Sequence, residues 1–176
     1  MKLLLSSKSM IERIIKEIEN KTMEKKIYNL IILDESGSMQ SIKPQAITGL
    51  NETLQTIKSA QENYESQSHY VTLVSFNTSR VKTIYDCCPA NRIQELTKDD
   101  YLPNAGTPLY DAIGISLTQL MAEVKDEDNV LVTIITDGYE NASREYSGKA
   151  IFQLIEGLKA KGWIFTYIGA NQDVEK

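Results

Sequence analysis

Residues 27–39 read Ile-Tyr-Asn-Leu-Ile-Ile-Leu-Asp-Glu-Ser-Gly-Ser-Met, and this stretch decides the fold. Its first half is a largely apolar run typical of a buried strand. Its second half places oxygen-bearing side chains at Asp34, Ser36 and Ser38. Because alternate residues of an extended or turning segment point the same way, these side chains can converge at the strand's end. Oxygen-only convergence suits a hard cation such as magnesium, and ligands of open α/β sheets bind at this end of the strands.

Strands and helices alternate along the rest of the chain. Apolar patterns predict strands over residues 27–33, 70–76, 81–85, 129–136 and 163–168, and helices over residues 42–64, 109–120 and 150–158. The link after residue 76 is too short for a parallel crossover, so the third strand is predicted to be antiparallel and at a sheet edge. We therefore predict an α/β fold of the Rossmann-like, doubly wound type. It has a mostly parallel central sheet, one antiparallel edge strand and helices on both faces.

Composition limits the classes of function that this chain can have. The chain has 176 residues, 41% hydrophobic and 24% charged, with a net charge of -5 that disfavours non-specific nucleic-acid binding. The two cysteines, Cys87 and Cys88, are adjacent, so they cannot form a disulfide framework and favour a reducing compartment. No apolar run approaches the roughly 20 residues of a membrane-spanning helix. We therefore expect a cytoplasmic protein with no nucleic-acid partner and no membrane insertion.

The first 26 residues differ from the rest. Met10, Ile11, Ile14, Ile15 and Ile18 recur at helical spacing, which predicts an amphipathic helix. We expect it to pack on the domain, where it could cover an exposed sheet face. The organisation we predict is an N-terminal helical extension over 1–26 and a domain over 27–176, which stops where another helix is expected. Met23 is a second possible translation start.

Three short motifs fall on three loops at the same predicted sheet edge. They are Asp34-x-Ser36-x-Ser38, Gly106-Thr107-Pro108 and Thr136-Asp137-Gly138. Each alone is a weak signal, but their combination and order resemble the von Willebrand factor A (vWA) domain family with its metal-ion-dependent adhesion site (MIDAS). The resemblance covers roughly residues 27 to 169. Thr107 and Pro108 are also predicted as the N-cap and first turn of the helix that follows.

The resemblance implies a role for each of five residues. Ser36 and Ser38 would bind the metal through their hydroxyls, and Thr107 would do so directly or through water. Asp34 and Asp137 would hold metal-bound waters and hydrogen-bond the serines. Mg²⁺ is the expected cation, with Mn²⁺ or Ca²⁺ possible.

The ligand set predicts how such a site is used. Neutral hydroxyl ligands leave the cation's charge incompletely compensated, so it favours an Asp or Glu side chain from a partner protein. We therefore predict a metal-dependent protein-binding module of the adhesion or scaffolding type, and not an enzyme. The alternative is a metal-dependent hydrolase such as a phosphoesterase, and a third reading is a site that binds nothing. No nucleophile motif is present, and a Ser-His-acid triad would depend entirely on His69.

Neighbouring residues carry weaker expectations. Asp111 either braces the loops or is simply a favourable acid in the first turn of its helix. Glu35 is expected to point away from its neighbours and to have the least to do. His69 is expected at the surface. Possible rim residues of the metal site are Met39, Gln40, Tyr139, Glu140 and Asn141.

Overall fold

The computed structural model describes residues 10–15 and 24–169. Residues 10–15 are helical, and we call this segment α1. The other elements are, in chain order, strand β1 (Lys25–Asp34), helix α2 (Lys43–Asn63), strands β2 (Gln67–Asn77) and β3 (Arg80–Pro89), helix α3 (Leu109–Glu123), strand β4 (Asn129–Thr136), helix α4 (Gly148–Ala160) and strand β5 (Ile164–Gly169). Short 3-10 turns follow β1 and β3, at Gly37–Ile42 and Ala90–Arg92. None of the helices in these ranges is long and apolar enough to cross a membrane.

The strands form one five-stranded sheet in the order β3-β2-β1-β4-β5. β1 is parallel to both β2 and β4, β4 is parallel to β5, and only the β2–β3 pair is antiparallel. β1 occupies the centre because its apolar run can be covered on both faces, and Leu30 to Leu33 are at most 1% exposed. The predicted fold class is confirmed.

Strand register sets the place of the candidate site. Asp34 pairs with Phe76 of β2, and Leu33 pairs with Ile135 of β4. The carboxyl ends of these three parallel strands are therefore level at one edge of the sheet. The residues that follow them are brought together there.

The two faces of the sheet carry separate cores. One is formed with α3 and α4 and includes Leu30, Ile32 and Phe76. The other is formed with α2 and includes Ile31, Leu33 and Met39. The alternation along β1 explains this division, because successive side chains of a strand point to opposite faces.

Two expectations need correction. β3 extends to Pro89, beyond the predicted end at residue 85, since shifts in the β2–β3 register keep it paired past Tyr85. α1 does not pack on the domain through its described residues, because Met10 and Ile14 are 62% and 45% exposed. The rest of the predicted N-terminal extension, the second start at Met23 and the end of the domain lie outside the described residues.

Candidate metal centre

Asp34 ends β1 and is fully buried. Its Oδ1 accepts a hydrogen bond from the Ser36 N–H at 2.8 Å, and its Oδ2 accepts one from the Thr136 hydroxyl at 2.8 Å. Burial raises the pKa of Asp34; the hydrogen bonds from Ser36 and Thr136 oppose the rise, and the nearby charge of Asp137 adds to it. A second acid beside a buried carboxylate is an environment that favours a cation.

Ser36 and Ser38 lie on the turn that follows. Their Oγ atoms are 3.2 Å apart, with Ser36 buried and Ser38 exposed. The Gly37 N–H between them donates to the Ala105 carbonyl at 2.9 Å. A Cβ on Gly37 would lie 3.3 Å from that same oxygen, so glycine permits the close approach of the two loops.

Thr107 is held by its backbone on both sides. Its N–H donates to Asn141 Oδ1 at 2.8 Å, and its carbonyl accepts from the Asn141 N–H at 3.1 Å. The predicted N-cap role is wrong, because Pro108 occupies the N-cap position and the first N–H groups of the helix are bonded to Glu140 and Ser143 instead. Thr107 is 1% exposed, and no hydrogen bond to its hydroxyl is found within residues 24–169. That hydroxyl is therefore available as a ligand.

Asp137 directly follows β4 and is half-buried. Its Oδ1 accepts from the Tyr139 N–H at 3.3 Å, within a turn in which Gly138 has φ +88°. A positive φ favours glycine, so Gly138 lets the chain turn sharply beside the carboxylate. Asp34 is thus hydrogen-bonded to Ser36, and Ser38 lies on the same turn with its Oγ beside that of Ser36. Thr107 and Asp137 lie on the two loops beside that turn.

The donor set fits a hard divalent cation. It consists of two carboxylates and three hydroxyls, all of them oxygen donors. Within the described ranges no cluster of three or more His, Cys, Asp or Glu forms a metal site. Any metal at this edge would therefore depend on the mixed hydroxyl and carboxylate set, which suits Mg²⁺, Mn²⁺ or Ca²⁺ better than softer metals.

Glu35 has a structural role that sequence reasoning missed. Glu35 is 1% exposed, and both of its carboxylate oxygens have hydrogen-bond partners. Oε2 accepts from the Ser75 hydroxyl at 3.0 Å, and Oε1 accepts from the Leu102 N–H at 3.0 Å and lies 3.4 Å from the Arg80 guanidinium. Its carbonyl accepts from the Asn104 N–H at 3.0 Å. Glu35 therefore ties the loop before Thr107 to β2.

Asp111 braces the loops, as the first of its two predicted alternatives states. Its carboxylate accepts the backbone N–H groups of Arg144, Glu145 and Tyr146 at 2.8 to 2.9 Å. Partial burial acts to raise the pKa of Asp111, but these hydrogen bonds outweigh it and hold the pKa below its usual value.

Glu140 completes the connection from the opposite direction. It accepts the Tyr110 N–H at 3.0 Å, the Ala142 N–H at 2.8 Å, and the Ser143 N–H and hydroxyl at 2.7 Å. Burial acts to raise the pKa of Glu140, but the hydrogen bonds from these donors outweigh it and lower the pKa. It orders the loop instead of being a solvated rim residue. We call residues 140–146 with the start of α3 the carboxylate clasp.

The other expected rim residues differ in their exposure to solvent. Met39 is 1% exposed and belongs to the α2-side core, so its predicted rim position is wrong. Gln40 is exposed, and Tyr139 is 71% exposed. Asn141 clamps Thr107, as described above.

His69 is buried, not at the surface, with 7% of its area exposed and its pKa lowered by burial. It lies 3.4 Å from Asn29 Nδ2 and 3.0 Å from Gln67 Oε1. It pairs with Ile27, whereas Asp34 lies seven residues further along the same strand. At about 3.3 Å per residue, His69 is roughly 23 Å from the candidate site. It is not placed to act as a base there.

No family model matches the chain, and no curated protein matches it. Solved structures do match. Proximal thread matrix protein 1 from the mussel byssus, crystal form 2, has a TM-score of 0.56 at 18% identity over 85% of this chain and 39% of its own. The same protein with a zinc-occupied MIDAS motif has a TM-score of 0.56 at 18% identity, over 83% and 38%. The pilus adhesin SpaC from Lactobacillus rhamnosus GG has a TM-score of 0.55 at 15% identity, over 85% and 25%.

These similarities concern the fold. The chain has a vWA-like fold. It spans less than two fifths of the length of each of these proteins, and the identities are too low to carry over a partner or an activity.

Proposed function

We propose that this chain is a divalent-cation-dependent protein-binding module, and not an enzyme. Ser36, Ser38 and Thr107 would hold the cation, with Asp34 and Asp137 beside it. The observation that carries the proposal is the grouping of oxygen donors at one edge of the sheet. Ser36 Oγ lies 3.2 Å from Ser38 Oγ, directly after the buried Asp34, and Thr107 and Asp137 lie on the two adjoining loops.

The chemistry of the cation points to an acidic partner. Neutral hydroxyls do not compensate a divalent charge, and magnesium usually keeps exchangeable waters when it binds few protein groups. A carboxylate from another protein can take one of those positions. All-oxygen donors favour Mg²⁺ or Mn²⁺, since zinc sites more often use nitrogen and sulfur.

The structural neighbours support this direction. The mussel matrix protein was solved with zinc at its MIDAS, and SpaC is a pilus adhesin. Both are similar to this chain at the level of the fold. For the compartment we propose the cytoplasm, on the grounds that Cys87 and Cys88 are both free.

Magnesium should stabilise the folded protein by binding the hydroxyls of Ser36, Ser38 and Thr107. At about 100 times its Kd, a ligand that binds only the folded state contributes about 2.7 kcal/mol. For a domain of this size that corresponds to a Tm increase of roughly 5–10 °C. Thermal unfolding with and without MgCl₂, followed by circular dichroism, measures it. Ser36→Ala should remove most of the increase, and so should Thr107→Ala.

Ser41→Ala is the matched control, because Ser41 is an exposed hydroxyl on the same turn. It should keep the full response to magnesium. A Tm that ignores magnesium in the unmodified protein would contradict the proposal. Magnesium-dependent phosphoester hydrolysis abolished by Asp34→Ala would favour the hydrolase instead.

A further inference from the structure

A groove of about 620 Å³ lies beside the candidate metal centre. Its walls are the β2–β3 hairpin at residues 77–81, the first turns of α3 and the loop at 141–145. Two wall residues are bonded to the Thr107 loop: Thr78 Oγ1 accepts the Gly106 N–H at 3.0 Å, and Asn141 clamps Thr107. The groove therefore adjoins the loop that carries Thr107.

The groove and the loop that carries Thr107 are tightly packed against each other at Gly106. A Cβ on Gly106 would lie 3.0 Å from Asn141 Oδ1 and 3.1 Å from Thr78 Cγ2. The loop at 141–145 is fixed by the carboxylate clasp. The groove is thus a preformed surface, and a ligand would not have to order it.

Two arginines give the groove its chemistry. The Arg144 side chain is exposed, and within residues 24–169 its guanidinium forms neither a hydrogen bond nor an ion pair. Arg80 is 48% exposed and reaches Glu35 at 3.4 Å. The wall also holds two acids. Asp111 accepts three backbone N–H groups and lies close enough to Arg144 for the arginine charge to help lower its pKa, and Glu145 is exposed. The exposed Arg144 guanidinium is therefore the wall group with donors available for a carboxylate.

We propose that this groove is a second anchor for an acidic segment of the partner. The metal takes one carboxylate, and Arg144, with Arg80 at the hairpin, takes a second acidic side chain a few residues along the same segment. An arginine fork matches carboxylate geometry in a bidentate way. The inference rests on the proposed function, and it narrows the partner from a protein with one acid to a segment with two.

Synthetic peptides test it with the intact chain. One acetylated, amidated glycine peptide carries a single Asp, and a second series carries two Asp separated by one to four glycines. These spacings cover roughly 7–18 Å in an extended peptide. Affinities are measured in MgCl₂ by NMR chemical-shift titration. We expect one spacing to bind at least fivefold more tightly than the single-Asp peptide, with a gain that falls as NaCl is added.

Arg144→Gln should bring the best two-Asp peptide down to the affinity of the single-Asp peptide. Lys125→Gln is the matched control, because it removes the same charge from an exposed residue past the far end of α3. It should retain the gain. Glu145→Gln should retain or increase it, since it removes the acid that opposes the ligand.

The two proposals fail in different ways. If the single-Asp peptide shows no magnesium-dependent binding, the proposed function fails and the second anchor fails with it. If that peptide binds but no spacing of two Asp gains affinity, or the gain survives in Arg144→Gln, only the second anchor is overturned. Equal loss in Lys125→Gln also overturns it, because the effect would then be one of net charge.

Discussion

Glu35 holds the loops of the candidate metal centre to the sheet. One carboxylate oxygen is bonded to Ser75 on β2, and the other to the backbone of Leu102. Its own N–H and carbonyl are bonded to Phe76 and Asn104. A single buried acid thereby fixes the turn that carries Ser36 relative to the loop that carries Thr107.

Glu35→Ala should therefore lower the free energy of unfolding by about 1–3 kcal/mol, because it leaves the Leu102 N–H and the Ser75 hydroxyl without their acceptor. The measurement is the urea midpoint at neutral pH in the presence of chelator. Glu62→Ala, at an exposed position of α2, is the control and should change stability by less than about 0.5 kcal/mol. Equal midpoints for the two variants would contradict this role for Glu35.

The five candidate metal residues could be proposed from sequence because each belongs to a short motif and the three motifs, in order, resemble the vWA pattern. Asp34, Ser36 and Ser38 alternate within five residues, and Asp137 follows an unmistakable strand. Glu35 could not, since its side-chain partners are 40 to 67 residues away. An acid between two candidate metal residues gives no local signal of whether it is solvated or buried among distant donors.

At the scale of elements, α3 and the loop before α4 form one unit through the carboxylate clasp. Asp111 and Glu140 each accept backbone N–H groups from the other's segment, so the start of α3 and residues 140–146 are mutually fixed. The predicted Thr107 cap was wrong because this clasp supplies the acceptor for the helix N-terminus. Sequence spacing could not reveal it, since the acceptor comes from a loop 30 residues later.

Gly114 tests how closely these elements must approach. A Cβ there would meet three ring atoms of Tyr146 at 2.6 Å. Gly114→Ala should therefore displace the ring and destabilise the protein by about 1–3 kcal/mol, despite the better helix propensity of alanine. Urea unfolding measures the change, and Gly114→Ala combined with Tyr146→Ala should show less than the sum of the two single effects.

Gly157→Ala in α4 is the matched control, because nothing lies within 4 Å of its added Cβ. It should stabilise the protein by up to about 1 kcal/mol through helix propensity alone. If both alanine variants stabilise alike, the tight contact between α3 and Tyr146 is not a constraint in solution.

At the scale of the whole molecule, the central sheet brings three strand ends to one edge, and the alternation of strands and helices was enough to predict this. The coverage of the sheet was not predictable. Ile164 and Tyr167 of β5 remain 56% and 58% exposed, and α1 does not cover them through its described residues. Amphipathicity shows that a helix has an apolar face, but it does not specify which surface that face meets.

The carboxylate clasp should also make the stability of the whole molecule depend on acid pH. The pKa of Asp111 is lowered in the folded state, so this group stabilises the fold above its unfolded pKa of about 3.9. That contribution is lost as the pH falls through the lower, folded-state value. Asp111→Asn should reduce the free energy of unfolding by about 1 kcal/mol at pH 6, at the low end for charged hydrogen bonds because the carboxylate is partly solvated.

The difference between Asp111→Asn and the unmodified protein should then shrink towards zero as the pH falls below about 4, the unfolded pKa, since both proteins become neutral at this position in acid. Urea midpoints at half-unit pH intervals in chelator measure it. Asp126→Asn, at an exposed acid of the α3–β4 turn, should show no such trend. A difference that stays constant from pH 6 into strong acid would mean that Asp111 acts through the shape of the loop and not through its charge. The three backbone N–H groups aimed at one carboxylate argue for the charge.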